Sequence, residues 1–198
     1  MADHGAWSPL SVEETARLMS ELGAPWWIAG GWAIDLFLGR TTREHADIDV
    51  AILRRDQPAL ARLLGDWDVH VAADGVLTRW KAGDWLEGGA RHQFFARPTP
   101  QSDWAVEILL EEARAGRWRY RRNRAVSLPL ARFGRISGAG VPFVAPEVAL
   151  LFKSNRIDED KNRADFEAAL PAMDEAARAW LKAALRLADP ENLWIGRL

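Results

Sequence analysis

Two carboxylates, Asp47 and Asp49, lie one residue apart in an otherwise apolar run. In an extended strand, alternate side chains project from the same face, roughly 6.5–7 Å apart. Burying a carboxylate without a partner is costly, so a cation is expected beside the pair. Mg²⁺ suits this position because it binds one or two carboxylates together with substrate phosphates. We therefore predict a metal site. The structural alternative is a strand end closed by salt bridges to Arg43 or Arg54.

A metal site of this kind usually includes a third acid from a neighbouring strand. Glu107 is the best candidate because it alone interrupts the apolar run at residues 104–110. Asp103 is the fallback, at the edge of the same predicted strand. With three carboxylates the site could hold two ions, one to activate a nucleophile and one to neutralise a triphosphate.

The glycine pair Gly30-Gly31 follows a short apolar run at residues 26–29. Without side chains at a junction between strand and helix, backbone N–H groups and the positive helix N-terminus can approach an anion closely. The pair alone could be only a tight turn. Together with the acids, it predicts phosphate binding beside a metal site, which is the arrangement that nucleotidyl transfer needs.

The series Gly-Gly-Trp-Ala-Ile-Asp, Leu-Gly-Arg and Arg-Glu-His-Ala-Asp-Ile-Asp-Val, within residues 26–52, resembles a known family. It is similar to the small-molecule antibiotic nucleotidyltransferases of the DNA-polymerase-beta superfamily, notably the aminoglycoside 2″-type and lincosamide enzymes. The resemblance implies transfer of a nucleoside monophosphate from a nucleoside triphosphate, with ATP favoured, to a hydroxyl of a small molecule. Pyrophosphate is released, and the acceptor is an aminoglycoside or lincosamide.

The resemblance also implies roles for individual residues. The catalytic and metal-binding residues are Asp47, Asp49 and Glu107, holding two Mg²⁺ ions, with Glu107 either a ligand or the base that takes the acceptor's proton. The triphosphate is bound by Gly30, Gly31, Arg43 and Lys153. Arg156 and Lys161 compete with Lys153, although the spacing of Lys161 and Asp165 is that of a simple helix pair. We expect Asp35, on the helix after the glycines, to have a structural role.

Three other functions remain open from the sequence. The same chemistry could act on a protein or a tRNA, as in nucleotidyltransferases of toxin–antitoxin type. The scaffold could be a non-catalytic nucleotide-binding module, or it could be an interaction domain. Resemblance to CCA-adding enzymes is weaker, because the chain is short and lacks a large basic tail. The basic run at residues 117–124 alternates with Trp118 and Tyr120, which favours a protected edge strand over nucleic-acid binding.

Composition narrows the class of protein. The chain has 198 residues, a net charge of −2 and no cysteine, which excludes disulfides, thiolate metal sites and a global field that attracts nucleic acid. No apolar run approaches the roughly 20 residues of a membrane span, and the N-terminus does not resemble a signal peptide. We expect a cytoplasmic protein without membrane partners. The sequence carries no signal for an oligomeric state.

The elements that must position these residues follow from periodicity and capping. We predict helices at residues 11–22, 32–38 and after Asp56. A longer helical pattern covers residues 148–187, with Pro146 well placed as its start and a break near Pro171. Predicted strands cover residues 26–29, 47–53, 68–72, 76–80, 92–97 and 104–110. The fold class is α+β: a polymerase-beta-like nucleotidyltransferase core, a small mixed sheet with flanking helices, over residues 1–143. A C-terminal helical region at residues 144–198 packs on that core.

Overall fold

The structure is a computed structural model that describes residues 5–81, 83–89 and 91–198. Six α-helices and ten strands alternate along this part of the chain. In chain order they are α1 (Val12–Ser20), β1 (Trp26–Ile28), α2 (Gly30–Leu38), β2 (Asp49–Leu53), α3 (Gln57–Leu63), β3 (Asp68–Ala73), β4 (Val76–Arg79), β5 (Gln93–Arg97), β6 (Val106–Arg114), β7 (Arg117–Arg119), β8 (Ser127–Pro129), β9 (Gly134–Ile136), β10 (Pro142–Val144), α4 (Pro146–Lys153), α5 (Asp160–Ala169) and α6 (Glu175–Ala188).

Two compact units divide the chain. The first comprises Met1–Ile28 and His45–Glu112, and the second comprises Ala29–Glu44 and Ala113–Leu198. The predicted domain boundary at residue 144 stays a prediction, because compactness of contacts alone does not define a region that folds by itself.

Six strands of the first unit form one mixed sheet in the order β4-β3-β5-β6-β2-β1. Strands β2 and β6 are parallel, and every other neighbouring pair is antiparallel. Because side chains alternate along a strand, β2 directs Val50 and Ile52 to the same face as Ile108 of β6. These three side chains are fully buried. The opposite face of the same two strands carries Asp49 and Glu107, so an apolar core supports the acids from behind.

Helix α1 begins the first unit with the capping box that its sequence predicts. The Ser11 hydroxyl accepts a hydrogen bond from the Glu14 backbone N–H, and the Glu14 carboxylate accepts one from the Ser11 backbone N–H. Two donors that the first turn leaves unpaired are thereby satisfied. Met19, on the buried face of α1, is fully enclosed in the core. The helix therefore has both a defined start and an apolar anchor.

Four helices and two short antiparallel ladders make up the second unit. Helices α2, α4 and α5 pack against one another, and α6 packs on α4. Strand β7 pairs with β8, and β9 pairs with β10. Trp118 and Phe133 are fully buried, with ring centroids 5.4 Å apart. The unit thus places the residues that follow the glycine pair on a helical scaffold.

The predicted elements agree with the structure in type and differ at several ends. Strand β2 begins at Asp49 rather than residue 47, so Asp47 precedes the strand. Strand β6 covers Val106–Arg114 rather than residues 104–110. The glycines belong to α2 as its first two residues, ahead of the predicted start at residue 32. The long helical stretch predicted over residues 148–187 is three helices, α4, α5 and α6, and α4 begins at Pro146, the predicted start.

Within the described residues, no helix combines the length and apolarity needed to cross a membrane.

Candidate functional site

Asp49 and Glu107 occupy directly paired positions on the parallel strands β2 and β6. The Glu107 backbone N–H donates to the Ile48 carbonyl at 2.9 Å, which fixes the register at this point. Paired residues of neighbouring strands project from the same face of a sheet. The structure therefore brings two of the three predicted acids side by side in the first unit.

Asp47 joins these two acids from the segment just before β2. Its negative charge acts on Glu107 together with that of Asp49. Asp103, the fallback for the third acid, is exposed and precedes β6. The strand register therefore selects Glu107 as the acid that faces Asp49.

The Glu107 carboxyl is crowded by negative charge. Burial, followed by the charges of Asp49 and Asp47 and a hydrogen bond with Asp49, raises the pKa of Glu107 well above its usual range. A hydrogen bond from Gln93 acts in the opposite direction. The raised pKa favours the protonated form of Glu107 relative to an exposed glutamate. An added cation would relieve this crowding.

Gln93 is a site residue that the sequence analysis missed. Its Nε2 donates to Glu107 Oε1 at 2.6 Å from the neighbouring strand β5. This contact fixes one carboxyl oxygen of Glu107, and the carboxyl also makes a hydrogen bond with Asp49. The only signal in the sequence is a polar residue at the start of a predicted strand, which also occurs in ordinary half-buried strands.

The donor set of the acid cluster Asp47, Asp49 and Glu107 suits a hard divalent cation. All the available ligands are carboxylate oxygens, which Mg²⁺ prefers, and their mutual repulsion is what a cation offsets. Within the described ranges, no three acidic, histidine or cysteine side chains already stand in metal-ligating geometry.

The glycine pair opens α2 in the second unit. Gly30 has φ +60°, in the left-handed region that strongly favours glycine, and its neighbour Gly31 is outside that region. The cap residue Ala29 makes no side-chain hydrogen bond to the helix, so no side chain covers the first backbone N–H groups. An uncapped helix N-terminus with a glycine start is a suitable place for an anion.

Arg43 and Lys153, the two predicted phosphate ligands, meet at one carboxylate in the second unit. Arg43 contacts Asp165 through Nε–Oδ1 at 2.9 Å and Nη2–Oδ2 at 3.0 Å. Lys153 Nζ lies 2.7 Å from Asp165 Oδ2. The structure thus brings together two residues that are far apart in sequence, through a third that the site prediction did not include.

The predicted helix pair of Lys161 and Asp165 is wrong. Lys161 instead lies 3.8 Å from Glu159, and the Asp165 carboxylate faces the other side of the helix toward Arg43 and Lys153. Arg156 also contacts Glu159, at 3.2 Å, and is largely exposed. Among Lys153, Arg156 and Lys161, which compete for one role, Lys153 is therefore the cation that joins Arg43 in a buried polar cluster.

The contacts of Arg54 and Asp35 bear on two structural roles: a salt bridge from Arg54 to the acids, and a purely structural Asp35. Arg54 donates to Glu112 and to the backbone carbonyls of Leu86 and Arg91, so it organises a loop rather than closing the end of β2. Asp35 accepts hydrogen bonds from the backbone N–H and hydroxyl of Thr42. It thereby orders the segment that carries Arg43, which agrees with its expected structural role.

The basic run at residues 117–124 contributes to the core of the second unit. Trp118 and Tyr120 are buried, and Arg122 donates to the Tyr120 hydroxyl and to the Phe152 carbonyl. Strand β7 pairs with both β6 and β8, so the prediction of an edge strand is wrong. These contacts support a structural role for the alternating pattern.

A family model, that of the aminoglycoside-2″-adenylyltransferases, matches residues 11–168. The chain belongs to this family. The match extends from the start of α1 through α5 and so includes every predicted site residue. It confirms the resemblance to antibiotic nucleotidyltransferases that the motif within residues 26–52 indicates.

Curated relatives match over a shorter stretch. A 2″-aminoglycoside nucleotidyltransferase of Klebsiella pneumoniae is 48% identical over 57 residues, which cover 27% of this chain and 32% of the relative. A protein of the same name from Escherichia coli matches to the same extent. The chain thus spans about a third of the length of the curated relatives it matches.

Solved structures share the fold over most of the chain. ANT(2″)-Ia in complex with adenylyl-2″-tobramycin has a TM-score of 0.59 at 20% identity, covering 87% of this chain and 94% of that one. Lincomycin-bound LnuA, a lincosamide antibiotic adenylyltransferase, has a TM-score of 0.59 at 15% identity, covering 84% and 100%. At these identities the likeness concerns the fold alone, and it confirms the predicted α+β fold class.

Proposed function

We propose that the protein transfers a nucleoside monophosphate from a nucleoside triphosphate to a hydroxyl of an aminoglycoside antibiotic, releasing pyrophosphate. The observation that carries the proposal is the pairing of Asp49 with Glu107 across β2 and β6, with Asp47 adjacent, in a chain of the aminoglycoside-2″-adenylyltransferase family. An interaction domain has no need of three crowded carboxylates, because such crowding destabilises the fold.

The carboxylates of Asp47, Asp49 and Glu107 would hold Mg²⁺, with two ions expected. When bound, Mg²⁺ neutralises charge on the triphosphate and favours the ionised form of a coordinated hydroxyl. Asp47 and Asp49 supply negative oxygens from either side of Ile48, which is buried in the core. Gln93 holds one oxygen of Glu107. The other oxygen would exchange its hydrogen bond with Asp49 for a metal ion, after which Glu107 would act as a metal ligand or take the acceptor's proton.

We assign binding of the triphosphate to four residues of the second unit: Gly30, Gly31, Arg43 and Lys153. The uncapped start of α2 offers backbone N–H groups, and the two cations offer charged donors. ATP is the favoured triphosphate because the family is named for adenylyl transfer. The same name favours an aminoglycoside over a lincosamide as acceptor, and lincosamides are the second class to test.

Release of pyrophosphate by the purified protein tests this proposal. The assay combines Mg²⁺, each ribonucleoside triphosphate in turn and a panel of aminoglycosides and lincosamides, with the double variant Asp47→Asn, Asp49→Asn as the blank. We expect release with one class of antibiotic only, and a product that is heavier than the antibiotic by one nucleoside monophosphate.

Failure of the panel has two distinct meanings. If triphosphate binds with Mg²⁺ but no antibiotic supports release, the acceptor is a different molecule. A labelled protein or tRNA in a treated lysate would then identify the toxin–antitoxin type of activity, and no labelled product would identify a non-catalytic nucleotide-binding module. If triphosphate does not bind, the assignment of the nucleotide site is wrong.

A further inference from the structure

Asp165 is a buried carboxylate shared by two cations that come from different parts of the chain. Its side chain is 1% exposed and lies on α5. Arg43 reaches it from the segment after α2 with two parallel N–H groups, and Lys153 reaches it from the last residue of α4. A fork of two parallel hydrogen bonds fixes both the distance and the orientation of an arginine. The carboxylate therefore fixes the geometry of both cations at once.

The carboxylate remains ionised in the folded protein. Burial acts to raise the pKa of Asp165, but hydrogen bonds and charges from Arg43 and Lys153 outweigh it and lower the pKa below its ordinary value. Asp165 thus offers a permanent negative charge to the two cations. One negative charge divided between two positive ones neutralises neither completely.

Lys153 is the cation with unused donors. Its side chain is only 11% exposed, and within the described residues Asp165 is its ion-pair and hydrogen-bond partner. An ammonium group carries three N–H donors, so two of them have no acceptor from the described protein. A nearly buried cation with open donors is costly unless an anion or water meets them. The two remaining N–H donors of Lys153 are thus suited to bind an anionic ligand.

A second buried carboxylate of the same unit has different surroundings. Glu147, on α4, is 2% exposed and contacts Arg135 at 3.3 Å and Arg132 at 3.9 Å. Those arginine side chains are 34% and 47% exposed, and Arg135 also lies 3.6 Å from Asp174. There the cations extend into solvent and a second acid shares their charge. Glu147 therefore serves as the matched example of a carboxylate that ties elements together without offering a buried cation.

We infer that Asp165 is a positioning residue that holds Lys153 and Arg43 in the geometry that binds the phosphates of the nucleoside triphosphate. The inference rests on the proposed function and adds to it a residue that touches no substrate itself. Asp165 acts through the two cations: it fixes their side-chain torsions and offsets part of the cost of burying Lys153. Without it, both cations would lose their shared anchor and the open N–H groups of Lys153 would no longer point in one direction.

The test compares Asp165→Asn with Glu147→Gln. Binding of ATP and of inorganic tripolyphosphate is measured by calorimetry with and without Mg²⁺, alongside the unfolding temperature of each variant. We expect Asp165→Asn to weaken binding of both ligands by about 10- to 100-fold, the range found when the partner that orients a ligating side chain is lost. Glu147→Gln should lower the unfolding temperature comparably but leave both affinities unchanged. Equal losses of affinity in the two variants would overturn the inference.

A double variant shows whether Asp165 acts through Lys153. If it does, Asp165→Asn combined with Lys153→Gln should bind tripolyphosphate little more weakly than Lys153→Gln alone, because coupled residues are not additive. If the losses of tripolyphosphate affinity in the two single variants add up in the double variant, Asp165 does not act through Lys153. If Asp165→Asn does not fold, the Lys153→Gln variant is the test. Wild-type affinity of Lys153→Gln for tripolyphosphate would remove the basis of the inference.

Transfer assays separate this inference from the proposed function. Wild-type protein that binds tripolyphosphate in a manner dependent on Asp165 but transfers nothing would refute the function and keep the inference. Wild-type protein that transfers, with the KM for triphosphate unchanged in Asp165→Asn, would keep the function and refute the inference. A raised KM for triphosphate with an unchanged KM for the antibiotic is the expected result.

Discussion

Asp49 and Glu107 face each other on parallel strands, and the charge of Asp49 adds to burial in raising the pKa of Glu107. Parallel strands cannot be joined by a tight turn, so a long crossover must connect them. Here the crossover contains α3 and strands β3, β4 and β5, which form the part of the sheet beyond β6. The pairing of the acids is therefore a property of the whole first unit rather than of a local motif.

The third acid can be tested with a neutral substitution. Glu107→Gln keeps the size of the side chain but cannot ionise, so the metal or base function would be lost. We expect transfer to fall by about 100- to 10,000-fold, since a metal contributes several kcal/mol and each 1.4 kcal/mol is tenfold in rate. The rate of pyrophosphate release measures this loss of transfer. Asp103→Asn is the control and should retain wild-type rates; the reverse pattern would assign the third acid to Asp103.

Gln93 offers a milder test of how Glu107 is held. Gln93→Leu removes the donor to Glu107 Oε1 while keeping a side chain of similar length. We expect kcat to fall by about tenfold, because a hydrogen bond that orients a reacting group commonly affects the rate to this degree. The free energy of unfolding should change little, because a net hydrogen bond contributes only about 1 kcal/mol to it. Steady-state kinetics and thermal unfolding measure the two effects. An unchanged kcat would show that Glu107 is oriented without Gln93.

The two glycines of α2 should respond differently to alanine. Gly30 has φ +60°, so Gly30→Ala should destabilise the fold by about 1–2 kcal/mol. Gly31 has no positive φ and lies in the first turn of the helix, so Gly31→Ala should leave stability nearly unchanged or slightly higher. Denaturant unfolding of both variants decides this point. A stable Gly31→Ala protein with weakened ATP binding would support phosphate contact at that residue.

The motif within residues 26–52 predicts the local chemistry well because its glycines and acids are closely spaced. Glu107 could also be predicted, since an acid in an apolar run is an anomaly that periodicity reveals. Gln93 and Asp165 could not, because each is significant only through a partner on another element. Asp165 shows the difficulty: helix spacing favours Lys161 as its partner, but packing of α5 against α2 and α4 directs it toward Arg43 and Lys153.

Acid stability should depend on Asp68, a 4% exposed carboxylate on β3 that contacts Arg97 at 2.8 Å and His70 at 3.1 Å. Burial acts to raise its pKa, but hydrogen bonds and charges from Arg97 and His70 outweigh it, so the folded-state pKa lies below the ordinary value of about 3.9. A depressed pKa means that the unfolded chain binds the proton more readily. The contribution of Asp68 to stability is therefore complete above about pH 5 and is lost as pH falls through the folded-state pKa.

Unfolding by denaturant at a series of pH values between about 2 and 7 tests this dependence. Wild-type protein should lose stability progressively below about pH 4, and Asp68→Asn should be less stable at neutral pH with a flatter acid limb. Asp66→Asn changes an exposed carboxyl two residues earlier and is the matched control. If Asp68→Asn kept the full acid slope of the wild type, the slope would have to come from other carboxyls. The Arg97 contact would then contribute to packing without contributing to the pH dependence of folding.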